Sequence, residues 1–349
     1  MSVLDKIKKN TTIKDSAILA KSKFFNEKDM IPTPVPAINI ALSGSLDGGI
    51  TPGLTMWAGP SKHFKTAFSL LMAKSYLDRY EDAALLFYDS EFGSPQSYFT
   101  SFGIDTDRVL HTPITDVEQL KVDIMNQINE LDRSDKIMII IDSIGNLASK
   151  KEVEDALDGK SVADMSRAKQ IKSLFRRVTP HLTLKDIPMV VVNHTYKEIG
   201  MFPKDIVGGG TGSYYSADNI YIIGRQQEKD GKEITGYNFI INVEKSRYVK
   251  EKSKIPVTVS YSGGISRWSG LLEIALESGH VVKPTNGWYS KVDENGEIED
   301  KKYRIKDTDN KDFWMPILKQ KSFRDFIENK YRVASSNIMP QDIEEEIEV

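Results

Sequence analysis

The sequence predicts an α/β domain built on a mostly parallel sheet, and three observations predict it. From Leu54 to about Arg225, short apolar runs ("LTMWA", "AALLFYD", "RVLHT", "IMIIID", "PMVVVN", "NIYIIG") alternate with amphipathic segments of helical period. Runs that are apolar without alternation imply strands covered on both faces, the condition of parallel strands flanked by helices. Beyond Arg225 the pattern changes. "YNFIINVEKSR" and "KIPVTVSYSGG" are longer, alternate in polarity and are joined by polar turns, so they extend the same sheet with antiparallel strands.

Around this core the chain divides into three parts. Residues 1–31 read as a short, polar helical arm, from "DKIKK" through "DSAILAKSKFF", closed by the breaker run Pro32 to Pro36. Residues 32–265 hold the sheet. Residues 266–349 form a small mixed α/β region whose end, "DIEEEIEV", is an acidic, solvated tail. The absence of cysteine excludes disulfides and thiolate metal sites. The histidines are scattered without an H-E-x-x-H, which argues against a structural zinc. No run of about 18 apolar residues is present to span a membrane, and the N-terminus lacks the apolar segment of a secretory signal. A formal charge of −3 argues against a uniformly basic nucleic-acid binder while leaving room for a basic groove.

The chemistry begins at "GPSKHFKT", Gly59 to Thr66. A phosphate-binding loop joins a buried strand to a helix N-terminus, where free N–H groups and the helix dipole hold phosphate. Here Gly59, Pro60, Ser61, Lys62, His63 and Phe64 would form the loop, Lys65 would reach the β- and γ-phosphates, and Thr66 would offer its hydroxyl to Mg²⁺. The pattern departs at Phe64, where glycine is usual, so the backbone there is expected to take a conformation that a bulky residue tolerates. The bland reading is a Gly-Pro turn leading into a surface helix. Asp142 ends the strand "KIMIIIDS" as an acid that orders a Mg²⁺ shell would, or as a simple turn cap. "AALLFYDSE" ends with Asp89 and Glu91, placing at the same sheet edge a carboxylate able to prepare a water. "VVVNHTYKEIGMFPKDIVGGGTG" brings Asn193 and His194 there too, followed by a long glycine-rich loop.

In the order "GPSKHFKT", "FYDSEFGSPQSYFTSFGID", "IIIDSIGNLASKKEVEDAL", "VVNHTYKEIG" with "GGGTG", and "NVEKSR", the sequence resembles the RecA-family recombinases over nearly its whole length. It is most similar to those of T4-type bacteriophages, in which the loop departure is a shared trait. The resemblance implies a RecA-like P-loop ATPase core using ATP and Mg²⁺. Lys65 and Thr66 then match the loop lysine and hydroxyl, Glu91 the water-activating glutamate, and Asp142 the metal-ordering aspartate. Tyr98 matches an aromatic that stacks on adenine, and His194 stands where the family senses γ-phosphate. Two stretches, about 149–165 and 195–211, match DNA-binding loops, the second carrying Lys197, Lys204, Gly208, Gly209 and Gly210, with Gly212 just beyond it. Behind the first, "SRAKQIKSLFRRV" contributes Arg167 and sets Lys169, Lys172 and Arg176 on one helix face, a phosphate track or simply a solvated stripe. Lys245 and Arg247, two apart on a strand and so on one face, match a basic pair that reaches a neighbouring subunit's nucleotide.

The resulting expectation is a DNA-dependent ATPase that forms helical filaments on single-stranded DNA and pairs it with homologous duplex. It would be phage-encoded and act in a bacterial cytoplasm beside a single-strand-binding protein and a mediator of the UvsY type. A ring-shaped helicase or translocase on the same core, or a module that holds ATP without turnover, are the alternatives.

Overall fold

In a computed structural model, residues 2–13, 16–22, 29–159, 166–198 and 205–333 are described. The strands in chain order are β1 (Gly53–Ala58), β2 (Ala84–Asp89), β3 (Val109–Pro113), β4 (Ile137–Asp142), β5 (Pro188–Asn193), β6 (Thr195–Lys197), β7 (Asp205–Val207), β8 (Asn219–Asp230), β9 (Glu233–Lys245), β10 (Lys254–Ser260), β11 (Gly264–Ile265), β12 (Val281–Thr285) and β13 (Trp288–Lys291). The helices are α1 (Val3–Asn10), α2 (Pro36–Ser43), α3 (Lys65–Arg79), α4 (Gln96–Ser101), α5 (Val117–Glu130), α6 (Lys150–Leu157), α7 (Ser166–Lys185), α8 (Thr211–Ser216), α9 (Leu271–Glu277), α10 (Lys311–Lys319) and α11 (Lys321–Tyr331).

A nine-stranded sheet runs β11-β10-β9-β8-β1-β5-β4-β2-β3. The strands from β8 to β3 are parallel, and β9, β10 and β11 add on antiparallel, as the change of pattern after Arg225 predicts. Every residue of β1, β4 and β5 is buried, which is why these strands read as unbroken apolar runs. Alternation still sorts their side chains: Met56 packs into a core under α5 and α7, while its neighbour Trp57 packs into the opposite core with α2, α3, α10 and α11. Helix α5 begins where Asp116 accepts the Gln119 N–H as an N-cap, and it buries Leu120, Ile124 and Ile128.

Two expectations need correction. β3 is not covered on both faces; it is an outer strand of the sheet, and Leu110 on it is exposed. Among its described residues the N-terminal arm is helical over α1, where Ser2 and Asp5 form a capping box, and again in a three-residue turn at Leu19–Lys21. All of α1 is exposed, so no tertiary contact extends it. The acidic end lies outside the described residues. Among the described residues no helix is long and apolar enough to cross a membrane.

Candidate nucleotide site and DNA-facing elements

Parallel strands share a direction, so the C-terminal ends of β1, β5, β4 and β2 meet at one edge. There the loop after Ala58 passes into α3, Asp142 ends β4, and Glu91 and His194 follow β2 and β5. Together with Lys65, Thr66 and Tyr98 these residues border a cavity of about 560 Å³. The structure thus brings Ser61 to Thr66, Glu91, Tyr98, Asp142 and His194 around one space, while Gly59 and Pro60 do not line it. Lys65 is buried and donates from Nζ to the Pro60 carbonyl at 2.8 Å, folding the loop back on its own lysine.

Phe64 departs from expectation. Rather than avoiding the left-handed region, it occupies it, with φ 62° and ψ 17° immediately before α3. A side chain there costs about 1–2 kcal/mol. The ring supplies the offset: it stacks on Phe239 at 5.0 Å and 21°, and meets Phe68 edge-on at 5.5 Å. Phe64→Gly should remove the backbone strain and lose both ring contacts. The expected net result is a loss of about 2 kcal/mol in unfolding free energy by denaturant titration, with no gain in ATP affinity by calorimetry. A clear affinity gain would show the ring to be a burden.

The charges of the site are set by burial and by each other. Asp142 accepts the Thr66 hydroxyl on Oδ2 at 2.6 Å. Its other oxygen, Oδ1, is buried without a partner, and burial pushes the carboxyl up to about 6. An orphaned carboxylate oxygen beside a hydroxyl is a hard-oxygen donor set that fits Mg²⁺ sharing its shell with phosphates. Glu91 Oε1 lies 3.0 Å from His194 Nε2. That hydrogen bond is the main reason the Glu91 carboxyl is held below its usual range, against the opposing effect of partial burial. Burial depresses the Lys65 ammonium, with Glu91 and Asp142 opposing. Asn193, expected to face phosphate, is wholly buried; it donates to the Gly208 carbonyl at 2.8 Å and accepts the His194 N–H at 2.8 Å, so it tethers instead.

The two stretches expected as DNA-binding loops contain regular elements. The first contains α6, opened by a capping box between Ser149 and Glu152; residues 160–165 of that stretch lie outside the described ones. The second begins as an antiparallel hairpin, β6 with β7, closed by Lys197 on Asp205 at 2.8 Å. Lys204 lies outside the described residues. The Gly208 N–H is taken by the His194 carbonyl at 2.9 Å. Gly212 has no room for a side chain, since a Cβ there would meet Lys172 Cβ at 2.6 Å; α8 thus lies directly on α7. Gly209 and Gly210 adopt φ 86° and 74° between the hairpin and α8. Lys169, Lys172 and Arg176 are exposed on α7. Arg167 does not share that stripe: its guanidinium donates to the carbonyls of Ile144 and Gly145 at 3.1 and 2.7 Å, bracing the chain after Asp142.

Residues 2–266 match the RecA N-terminal domain, and 268–327 match the family described as bacteriophage T4 recombination and repair protein, C-terminal domain. The chain belongs to the RecA family. It is 51% identical to the recombination and repair protein of Enterobacteria phage T4, over 97% of this chain and 88% of that one. It is 26% identical to protein RecA of Streptomyces rimosus, over 75% of this chain and 68% of that one. Membership brings with it an enzyme of the ATPase type.

In this RecA-family chain the basic pair differs from the strand geometry predicted for it. β9 ends at Lys245, and Arg247 stands in the bend beyond. Lys245 donates to the carbonyls of Tyr214 and Ala217 at 3.0 and 2.7 Å, capping the end of α8. Arg247 pairs with Asp218 at 2.5 Å. Both lie near the start of β8, paired there at Ile220↔Lys245, and so at the opposite edge of the sheet from the cavity. The far wall of that cavity went unread in the sequence: Arg225 donates to the Lys62 carbonyl at 3.1 Å and stacks on Tyr237 at 4.6 Å, with Tyr261 beside it. Alternation in "YNFIIN" signals which of its residues share a face, but not that the face meets the loop.

Proposed function

We propose that this chain is a homologous recombinase that binds ATP with Mg²⁺ at the edge described, polymerises on single-stranded DNA and pairs that strand with homologous duplex. The observation that carries the reading is the meeting of Lys65, Thr66, Asp142, Glu91 and His194 around one cavity in a RecA-family chain. Mg²⁺, held through Thr66 and Asp142, would neutralise charge on the phosphates. Lys65 binds the β- and γ-phosphates, Tyr98 covers the base, and Glu91 accepts a proton from the attacking water. His194 bonds to Glu91 while facing the cavity, so it can report γ-phosphate to the hairpin that follows it. Residues 1–31 serve as an arm between subunits, residues 32–265 as the catalytic core and 266–349 as a C-terminal region. A single-strand-binding protein and a loading mediator in a bacterial cytoplasm complete the setting.

Electron microscopy with single-stranded DNA and a non-hydrolysable ATP analogue tests this directly. Helical filaments are expected; closed rings would return the chain to a translocase, and phosphate release that is absent with DNA would make it a holding module. Lys169, Lys172 and Arg176, with the glycine turn beside them, are proposed to face DNA phosphates. Replacing all three with alanine should weaken binding to every sequence alike and flatten log affinity against log salt by about one unit per lost contact. An unchanged slope would leave them a solvated face.

A further inference from the structure

Glu91 sits in a turn whose restraint comes from the residue two before it. Asp89, the last of β2 and 3% exposed, accepts on Oδ1 the N–H of Glu91 at 3.0 Å and of Phe92 at 2.8 Å. These bonds close an Asp-led turn in place of continuing the strand. They also hold Phe92 at φ 54°, a conformation that an aromatic residue does not adopt without support. The other oxygen, Oδ2, lies 3.1 Å from Nε2 of His111. His111 comes from the outer strand β3, in register with Phe87, and its ring stacks on Phe87 at 6.0 Å and 27°. Its outer side borders a second cavity of about 480 Å³, beside Gln96, Phe99 and Thr106.

The catalytic reading uses neither residue. Asp89 is in register with Asp142 on β4, so two buried carboxylates stand side by side at the strand ends. Each is turned by a different donor: Thr66 holds Asp142 toward the cavity, and His111 holds Asp89 outward. Without the imidazole, one Asp89 oxygen would be buried and unpaired, and the carboxylate would be free to rotate off the turn.

We propose that His111 and Asp89 are a positioning pair for Glu91, with His111 acting through Asp89 to fix the turn that aims the Glu91 carboxylate. The proposal rests on the reading of Glu91 as the group that prepares water. A displacement of about 1 Å at such a group can cost as much as 10²-fold in rate.

Steady-state ATP hydrolysis by the full chain on single-stranded DNA tests it. His111 is half-exposed on an outer strand, so its variants should fold. His111→Leu should lower kcat about 10-fold and leave the KM for ATP within about 2-fold, whereas His111→Gln, which keeps an N–H donor, should stay within about 3-fold of the parent. Adding His111→Leu to Glu91→Gln should lower the residual rate no further, because the path ends at Glu91. An unchanged kcat in His111→Leu, equal losses in the Leu and Gln variants, or a further 10-fold fall in the double variant would each overturn the proposal. If Glu91→Gln alone turns over at the parent rate, the Glu91 reading falls and this pair with it. A dead Glu91→Gln beside a fully active His111→Leu removes the pair alone.

Discussion

Glu91→Gln should bind ATP and form DNA-bound filaments while hydrolysing ATP about 10²-fold more slowly or worse, the usual contribution of a general base. The geometry makes the separation clean. Glutamine keeps the shape of the side chain and an acceptor for His194, 3.0 Å away, so the tie between the two strand ends persists. What it loses is the charged oxygen that, on the proposed reading, would take the proton. The hydrogen bond that holds the Glu91 carboxyl below its usual range keeps it ionised near neutral pH, the state a base requires. Single-turnover phosphate release beside nucleotide-binding titration reads both properties. Parent turnover in this variant would remove Glu91 from its role.

The double change Lys245→Ala with Arg247→Ala should leave the protomer folded and able to bind ATP, yet lower DNA-stimulated hydrolysis by about 10³-fold, as loss of an arginine-finger type contact does. Both side chains lie at the sheet edge opposite the cavity, so they cannot serve the nucleotide of their own chain. If they serve any, it belongs to a neighbour. Folding is expected to survive because Arg247 is largely exposed and Lys245 caps only the short α8. Mixing this variant with Glu91→Gln gives the decisive reading. Some mixed interfaces would join an intact glutamate to an intact basic pair, so hydrolysis should partly return. A mixture as inactive as its components, where mixed filaments are seen to form, would show that the site is not shared.

Which parts were legible follows from what each residue answers to. β1, β2, β4 and β5 could be read because burial leaves little room for polar residues, and a residue type at a strand end, such as Asp142, is a local signal. β3 was read as covered because an outer strand can be apolar on its packed side. The hairpin of β6 and β7 escaped because three-residue strands are too short to show a period. Arg167 shows the limit of helix-face arithmetic. Its place on α7 is predictable, but its length lets it reach back to carbonyls after Asp142, a choice made by tertiary contact. The wall of Arg225, Tyr237 and Phe239 depends on which strands pair across the sheet, and that lies outside any local window.

Phe64 carries this last point further. A glycine makes a phosphate loop self-sufficient: the chain turns there whatever surrounds it. With phenylalanine at that position, the loop's conformation is underwritten by a ring on β9, from a distant part of the sequence. The constraint that ordinarily sits on residue 64 has been transferred to residue 239. Among related chains the two positions should therefore change together, glycine in the loop releasing the strand to carry any side chain, and an aromatic in the loop demanding one opposite.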